Sequence, residues 1–576
     1  MPVHRFIHPS YQKLKNMSKL PSSVNDYIIR ALAEYNQLPA LSNLHSDTTY
    51  TFADTAREIG RLHIFFRELG LKKGDHIALC ARNSAEWAIA FLASATYGTV
   101  AVNILADFQP DDILGLVKHS DARLLLTDSH TVHSLGDKRI ASLLDSETVA
   151  GIALLGTLTS VGDTKSGMKK ALAALPLETE EGETDPSVTF IPEAAIVEPS
   201  DPVVINYTSG STGDPKGVVL SDRALWSNIR YSIDGLTFLH PGDETLCMLP
   251  LAHMFGLLVD LLHPFVKGCH IHFVTRTPSP AVIMEAFATV KPKLIVSVPL
   301  VIEKIIRKKV FPQLEKNPVR ILIRIPVVNS FIYRKLRAKL IDAFGGQLQE
   351  LILGGAAVSA DVEAFLRKVK FPFTVGYGMT ECGPLIGYAA WNEQRAGTCG
   401  HIVDRMEIRV DSPDPHNVAG TLWVRGDNVM NGYYKNPAAT QAVMGNDGWM
   451  NTGDTGTVAS DGLISIRGRD KNMILGSSGQ NIYPEEIEAK LNAVPPVAES
   501  LVIDGGDGRL KALIYLDPET TAHMSADDKQ AAATAAVKAV NATSAGYEQI
   551  RDMEIMDHEF EKTPKRSIRR YLYTRK

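Results

Sequence analysis

The chain reads as an α/β protein: a large N-terminal α/β region, a stretch of antiparallel β structure after it, and a small C-terminal α+β domain. Three observations carry that reading. Short apolar runs alternate with helical patterns from about residue 50 to 130, and such runs resume at Ile271–Val274, Leu294–Val298 and Glu350–Leu353; this alternation implies a parallel sheet. From Thr398 to Ile466 short alternating runs sit between Gly- and Asp-rich turns, which predicts antiparallel strands. After Arg469 two further runs flank a tight turn, with helical stretches on either side. At 576 residues the chain exceeds one ordinary core, so two or more domains are expected.

The elements follow in order. The first twenty residues hold basic side chains but no continuous apolar segment, so a secretory signal is not expected. His76–Cys80 predicts a buried strand after the turn Lys73-Gly74-Asp75. Ala85–Tyr97 predicts a helix ending at Gly98, and Val100–Asn103 and Arg123–Thr127 predict strands. Residues 176–201 carry Glu178, Glu180, Glu181, Glu183, Asp185, Glu193, Glu198 and Asp201 with no Lys or Arg, the composition of a solvated linker. Leu249–Val266 is the most apolar long window, but it contains His253, Asp260 and His263 and is too short and polar to span a bilayer. Thr421–Val424 is one of the antiparallel runs. Ala498–Ile503 and Arg509–Leu516 flank GGDG as a hairpin. No internal repeat is present.

Composition bounds the function. Hydrophobic content of 45% and charged content of 22% are those of a soluble globular protein. A formal charge of −5 gives no electrostatic case for nucleic acid. The five cysteines, Cys80, Cys247, Cys269, Cys382 and Cys399, are scattered and form no CxxC pair, so they support neither a zinc site nor a disulfide framework. A reducing, cytoplasmic location is expected.

The chemistry concentrates in a few strings. Tyr207–Gly217, YTSGSTGDPKG, lies between apolar runs. Its glycines let successive N–H groups face one concavity, hydroxyls add donors, and Lys216 adds a mobile charge, together a candidate polyphosphate cradle. It is not a Walker loop: Pro215 precedes Lys216 and Gly217 follows it. LILGGAAVS, Leu351–Ser359, is open enough for a flat ring to approach backbone, although by itself such a string more often serves close packing. VGYGMTE, Val375–Glu381, offers Tyr377 for stacking, Thr380 as a donor and Glu381 for magnesium; an ordinary turn is the plain alternative. GWMNTGDTG supplies Asp454, able to accept from two ribose hydroxyls or to form an Asx turn. IRGRDKNMI puts Arg469 where a strand gives way to a charged connection.

In this order and spacing the strings resemble the adenylate-forming superfamily of acyl-CoA synthetases, peptide-synthetase adenylation domains and luciferases, over roughly residues 25–576. The resemblance implies two α/β subdomains and a small β-barrel-like region in residues 1–470, and a mobile lid in residues 471–576 with Lys471 as hinge. It implies ATP, Mg²⁺ and CoA: a carboxylate attacks the α-phosphate of ATP, and a thiol then attacks the acyl-adenylate. By similarity Thr208 and Glu381 hold Mg²⁺. Ser209, Gly210, Ser211, Thr212, Gly213 and Lys216 grip the β- and γ-phosphates, and Thr380 meets the α-phosphate. Gly355, Ala356, Tyr377 and Gly378 lie about adenine, and Asp454 and Arg469 reach the ribose. Gly476–Glu488 is similar to the loop lining the pantetheine tunnel.

Substrate choice is read from PLAHMFG, Pro250–Gly256. It is similar to the segment whose His stands beside the substrate carboxylate, so His253 is a pocket-wall candidate, with a core histidine as the alternative. VPLVIEKI, Val298–Ile305, and the basic stretch after it resemble the long- and medium-chain fatty acyl-CoA branch. The region His253–Leu258 has no Asp for a substrate amine. An apolar, fatty acid is expected, with CoA or a carrier-protein thiol as acceptor.

One departure stands out. Where the family carries a catalytic lysine near the C-terminus, this chain reads FEKTPKRSIRRYLY, with Ser567 at the aligned position. Three readings follow: Lys565 substitutes from two residues away; adenylation is slow; or the protein binds nucleotide or acyl group without turnover. The basic tail, from Lys562 to Lys576, is either a solvated terminus or a peripheral contact with anionic lipid or CoA phosphates.

Overall fold

The computed structural model describes residues 21–162, 165–175, 191–208, 215–275, 279–314, 326–476, 480–506, 509–563 and 568–574. Two seven-stranded sheets dominate. The first runs, in spatial order, Phe373–Val375, Glu350–Leu353, Leu294–Ser297, Glu244–Cys247, His270–Phe273, Pro39–Asn43 and Thr49–Thr51. All its pairings are parallel except the last. The second runs Gly432–Tyr433, Lys216–Ser221, Pro202–Thr208, Val100–Asn103, His76–Cys80, Leu124–Thr127 and Gly151–Leu154. Its two pairings at the Gly432 edge are antiparallel and the remainder parallel.

The expected alternation is present because the strands His76–Cys80, Val100–Asn103, Leu124–Thr127 and Gly151–Leu154 are each followed by a helix. Ala85–Tyr97 shows how. Ser84 caps its N-terminus by accepting from the Trp87 N–H at 3.1 Å, a cap typically worth about 1 kcal/mol. The helix is apolar on every side because it packs against strands of both sheets. Trp87 and Phe91 stack inside it with centroids 5.9 Å apart. Both rings are fully buried, each contributing about 1.5–3 kcal/mol. Trp87→Ala would therefore open a cavity between the sheets.

The antiparallel region comprises a four-stranded sheet, Met406–Asp411, Gly420–Gly426, Met450–Val458 and Ile464–Arg469, and a three-stranded one, Tyr377–Gly378, Leu385–Tyr388 and His401–Ile402. A bridge between His401 and Leu463 joins them. The predicted hairpin is the antiparallel pair Val497–Asp504 and Leu510–Leu516, to which Ile550–Ile555 adds in parallel. The period of two divides this small sheet cleanly. Val502, Ala512 and Ile514 face the helices Pro484–Asn492 and Ala526–Asn541. Leu501 and Leu513 face the other way and bury Phe560.

The acidic linker is only partly a free connection. Residues 176–190 lie outside the described residues, but the following segment is tied down. Ala195 donates to the Thr96 carbonyl at 2.7 Å, its own carbonyl accepts from Asn25, and Lys73 pairs with Asp201 at 2.7 Å. No helix among the described residues is long and apolar enough to cross a membrane.

Candidate active site

The predicted motifs meet where strand ends of both large sheets face the antiparallel region, the usual place for a ligand in α/β sheets. In the second sheet, Pro202–Thr208 and Lys216–Ser221 form a hairpin that pairs Thr208 with Lys216. Ser209–Gly213, the tip of the predicted cradle, lies outside the described residues. Next in the sheet, Gly432–Tyr433 pairs with Val218 and Val219. This sets the Tyr433 ring 5.0 Å from Lys216 Nζ, a cation–π contact. The Tyr433 hydroxyl donates to Glu381 Oε1 at 2.8 Å. Burial, and then the Glu381 carboxylate, push that hydroxyl's pKa up, so it stays a donor. Glu381 keeps its second oxygen for a cation, and with the Thr208 hydroxyl it offers the hard oxygen ligands that Mg²⁺ prefers.

Val375–Glu381 joins this group to a second one. Gly378 is required where it stands: a Cβ there would lie 2.3 Å from the Pro384 carbonyl. The close approach folds the chain into the turn that holds Thr380, buried, and Glu381 together. Tyr377 is buried and donates to Asp454 Oδ2 at 2.7 Å. Asp454 Oδ1 accepts from Arg469 Nε at 2.8 Å across the antiparallel pairing of their strands. The Asp454 N–H donates to Thr452 Oγ1 at 3.1 Å, which fixes the turn. With 4% of its surface exposed, Asp454 has its pKa raised by burial against the opposing pull of Arg469 and Tyr377.

The first sheet contributes the third wall. Gly355 and Ala356 lie exposed beyond the Glu350–Leu353 strand, with Gly355 at φ +82°. A Cβ on Gly354 would stand 2.9 Å from the Phe255 ring, so the glycine pair brings the Pro250–Gly256 segment against this turn. His253 begins a short helix there, its Nδ1 accepting from the Phe255 N–H at 3.3 Å. Behind it, Asp260 is fully buried and accepts from the Met248 and Leu249 N–H groups at 3.1 and 3.0 Å. Burial raises its pKa to about 8.

Lys471 lies exposed in the three-residue turn Asp470–Asn472, directly after Arg469. Beyond it the small domain leans back on the large one through Arg467–Glu486 and Arg307–Ala493 hydrogen bonds. Lys565, Arg566 and Ser567 lie outside the described residues. Of the basic tail, Lys562 pairs with Glu499 and Arg570 binds Glu488 with both oxygens, so two of its charges serve the small domain itself. Sequence reasoning missed Tyr433, Phe255 and Asp260. Tyr433 carries a signal in hindsight, an aromatic pair behind a glycine in NGYYK. The other two have none apart from the fold.

Comparison with known proteins gives the family and the fold. The AMP-binding enzyme family model matches residues 29–434, and that of the AMP-binding enzyme C-terminal domain matches residues 471–576. A 4-coumarate–CoA ligase of Oryza sativa subsp. japonica is 30% identical over 513 residues, covering 85% of this chain and 82% of the relative. A long-chain-fatty-acid–CoA ligase of Mycobacterium bovis is 27% identical over 579 residues, covering 92% and 91%. Among solved structures, the O-succinylbenzoate coenzyme A synthetase of Bacillus subtilis in complex with AMP superposes with a TM-score of 0.72 at 22% identity, covering 95% of this chain and 97% of that one. This chain belongs to the AMP-binding enzyme family and is an AMP-forming acid–thiol ligase.

Proposed function

We propose that the chain activates an apolar, fatty carboxylic acid with ATP and passes the acyl group to CoA. The observation that carries the nucleotide site is the linkage of two polar groups through the segment Tyr377–Glu381: Lys216, Tyr433 and Glu381 at one end, Tyr377, Asp454 and Arg469 at the other. The first step brings two anions together, so charge neutralisation and alignment are what the protein must supply. Lys216, with the adjoining Ser209–Gly213 loop, binds the β- and γ-phosphates, and Thr380 meets the α-phosphate. Asp454 and Arg469 orient the ribose, while Gly355, Ala356, Tyr377 and Gly378 bound the adenine. Thr208 and Glu381 would hold Mg²⁺, which offsets phosphate charge when bound.

Support for an apolar acid comes from the His253 wall. The nearest carboxylate to that segment in sequence, Asp260, is turned inward onto two backbone N–H groups and holds its proton to about pH 8. It presents no charge for a substrate amine, and His253 stands beside the acid. Residues 471–576 act as a lid pivoting at Lys471, with Gly476–Glu488 meeting CoA and excluding water from the acyl-adenylate.

The test is thioester formation by purified protein with ATP, Mg²⁺ and CoA on straight-chain acids of increasing length, alongside hydroxycinnamic acids. Preference for the straight-chain acids is expected. Preference for the aromatic acids would replace this reading with an aryl-CoA ligase. Acid-dependent pyrophosphate release with no response to CoA would replace CoA by a carrier-protein thiol.

A further inference from the structure

At the other end of the first sheet, three side chains converge that the ligase site does not use. Glu244 opens the strand Glu244–Cys247, and His270 opens the neighbouring strand His270–Phe273 in direct register with it. The loop leading to His253 follows the far end of the Glu244 strand, so this cluster lies away from the nucleotide groups. His270 and His272 stand two residues apart on one strand and therefore share a face, with ring centroids 4.1 Å apart. His270 Nδ1 lies 3.0 Å and His272 Nε2 2.5 Å from the same atom, Glu244 Oε2. The three donor atoms all fall within 4.8 Å of one another.

The outer contacts are also built. His270 Nε2 bonds Ser42 Oγ at 2.8 Å, and Ser42 Oγ bonds Thr49 Oγ1 at 2.8 Å. Ser42 is the register partner of both His272 and Thr49, so one polar row crosses four strands of an otherwise apolar sheet. In the tautomer that donates Nε2–H to Ser42, His270 turns the lone pair of Nδ1 toward Glu244. Without an ion, an N–H on each imidazole can donate to the one Glu244 oxygen. A divalent cation instead takes all three lone pairs. The rings are largely enclosed, at 11% and 19% exposure, while Glu244 at 43% leaves a path for an ion and its water.

We infer that Glu244, His270 and His272 form a three-ligand site for a zinc-class divalent cation, with Ser42 and Thr49 as its outer shell. Two imidazole nitrogens and one carboxylate oxygen suit zinc or its neighbours, whereas Mg²⁺ and Ca²⁺ select all-oxygen sets. Set at the strand starts, the ion clamps the Glu244 and His270 strands together and, through Ser42, the Pro39–Asn43 strand as well.

The test uses full-length protein stripped with a chelator, dialysed free of it, and titrated with zinc alone, without ATP or acid. Calorimetry should record saturable, equimolar uptake, and the melting temperature should rise with it. His272→Ala and the isosteric Glu244→Gln should lose both responses, and Ser42→Ala should weaken binding about 10–100-fold. Melting without zinc establishes that each variant is folded; if His272→Ala is not, Glu244→Gln carries the comparison. Absence of saturable uptake by the wild type, or uptake unchanged in Glu244→Gln, overturns the site. An equal response to magnesium overturns the zinc-class assignment.

Discussion

Tyr433 shows how much a single side chain decides in this site. Its ring faces Lys216 and its hydroxyl holds Glu381, so it fixes two charges of the proposed phosphate site. A hydrogen bond to a charged group contributes about 1.5–3 kcal/mol, roughly 10–100-fold in rate. Tyr433→Phe keeps the ring and is expected to lower kcat/KM for pyrophosphate release by about that factor; an unchanged value would remove Tyr433 from the machinery. At the C-terminal departure the expectation is sharper. If Lys565 supplies the cation that Ser567 lacks, Lys565→Ala should slow adenylation about 10²–10³-fold with ATP binding retained in a titration. Asp260 makes a pH prediction. Its carboxyl has a pKa near 4 when unfolded and about 8 in the folded chain. The folded state therefore binds an extra proton between those values, and stability falls as pH rises through that window. Asp260→Asn should flatten the fall, as read by urea unfolding at about pH 5 and about pH 8.

At the scale of elements, much was legible because local rules and tertiary packing agree. His76–Cys80, Ala85–Tyr97, Val100–Asn103 and Glu350–Leu353 form with the predicted bounds, each an apolar run punctuated by a turn or cap. Small disagreements have physical causes. The strand expected at Ile271–Val274 begins at His270, because pairing with Glu244 draws a polar residue into the sheet. The motifs at Tyr207, Tyr377 and Asp454 were legible as strings, but their mutual contacts were not. Tyr377, read as a stacking ring, also spends its hydroxyl on Asp454, a contact 77 residues away in sequence that no local pattern encodes. The Glu244–His270–His272 cluster was invisible for the same reason, since cysteine spacing says nothing of ligands assembled across strands. Gly378 is the element-scale test of the turn. Gly378→Ala would push a Cβ against the Pro384 carbonyl and displace Thr380 and Glu381. Adenylation should be lost, while the thermal unfolding of the small domain should stay unchanged.

At the scale of the molecule, two domains share a narrow hinge, and each is held by its own contacts. Arg570 grips the enclosed Glu488 with both nitrogen–oxygen bonds from the same nitrogen and donates to the Val502 carbonyl through its other terminal nitrogen. Removing one partner of such a pair typically costs about 3–5 kcal/mol. Arg570→Ala should therefore raise hydrogen exchange in Val497–Leu516 selectively, leaving the large sheets protected. Among the described residues few polar contacts cross to the large domain, which suits the proposed lid. In the proposed function one site performs both halves. Its most direct test is pyrophosphate release from ATP and Mg²⁺ by the purified chain, with a fatty acid present or absent and CoA present or absent. Release should require the acid and accelerate with CoA, with AMP and acyl-CoA as products. ATP bound without acid-dependent release across the range of chain lengths, and not restored by Ser567→Lys, would contradict it.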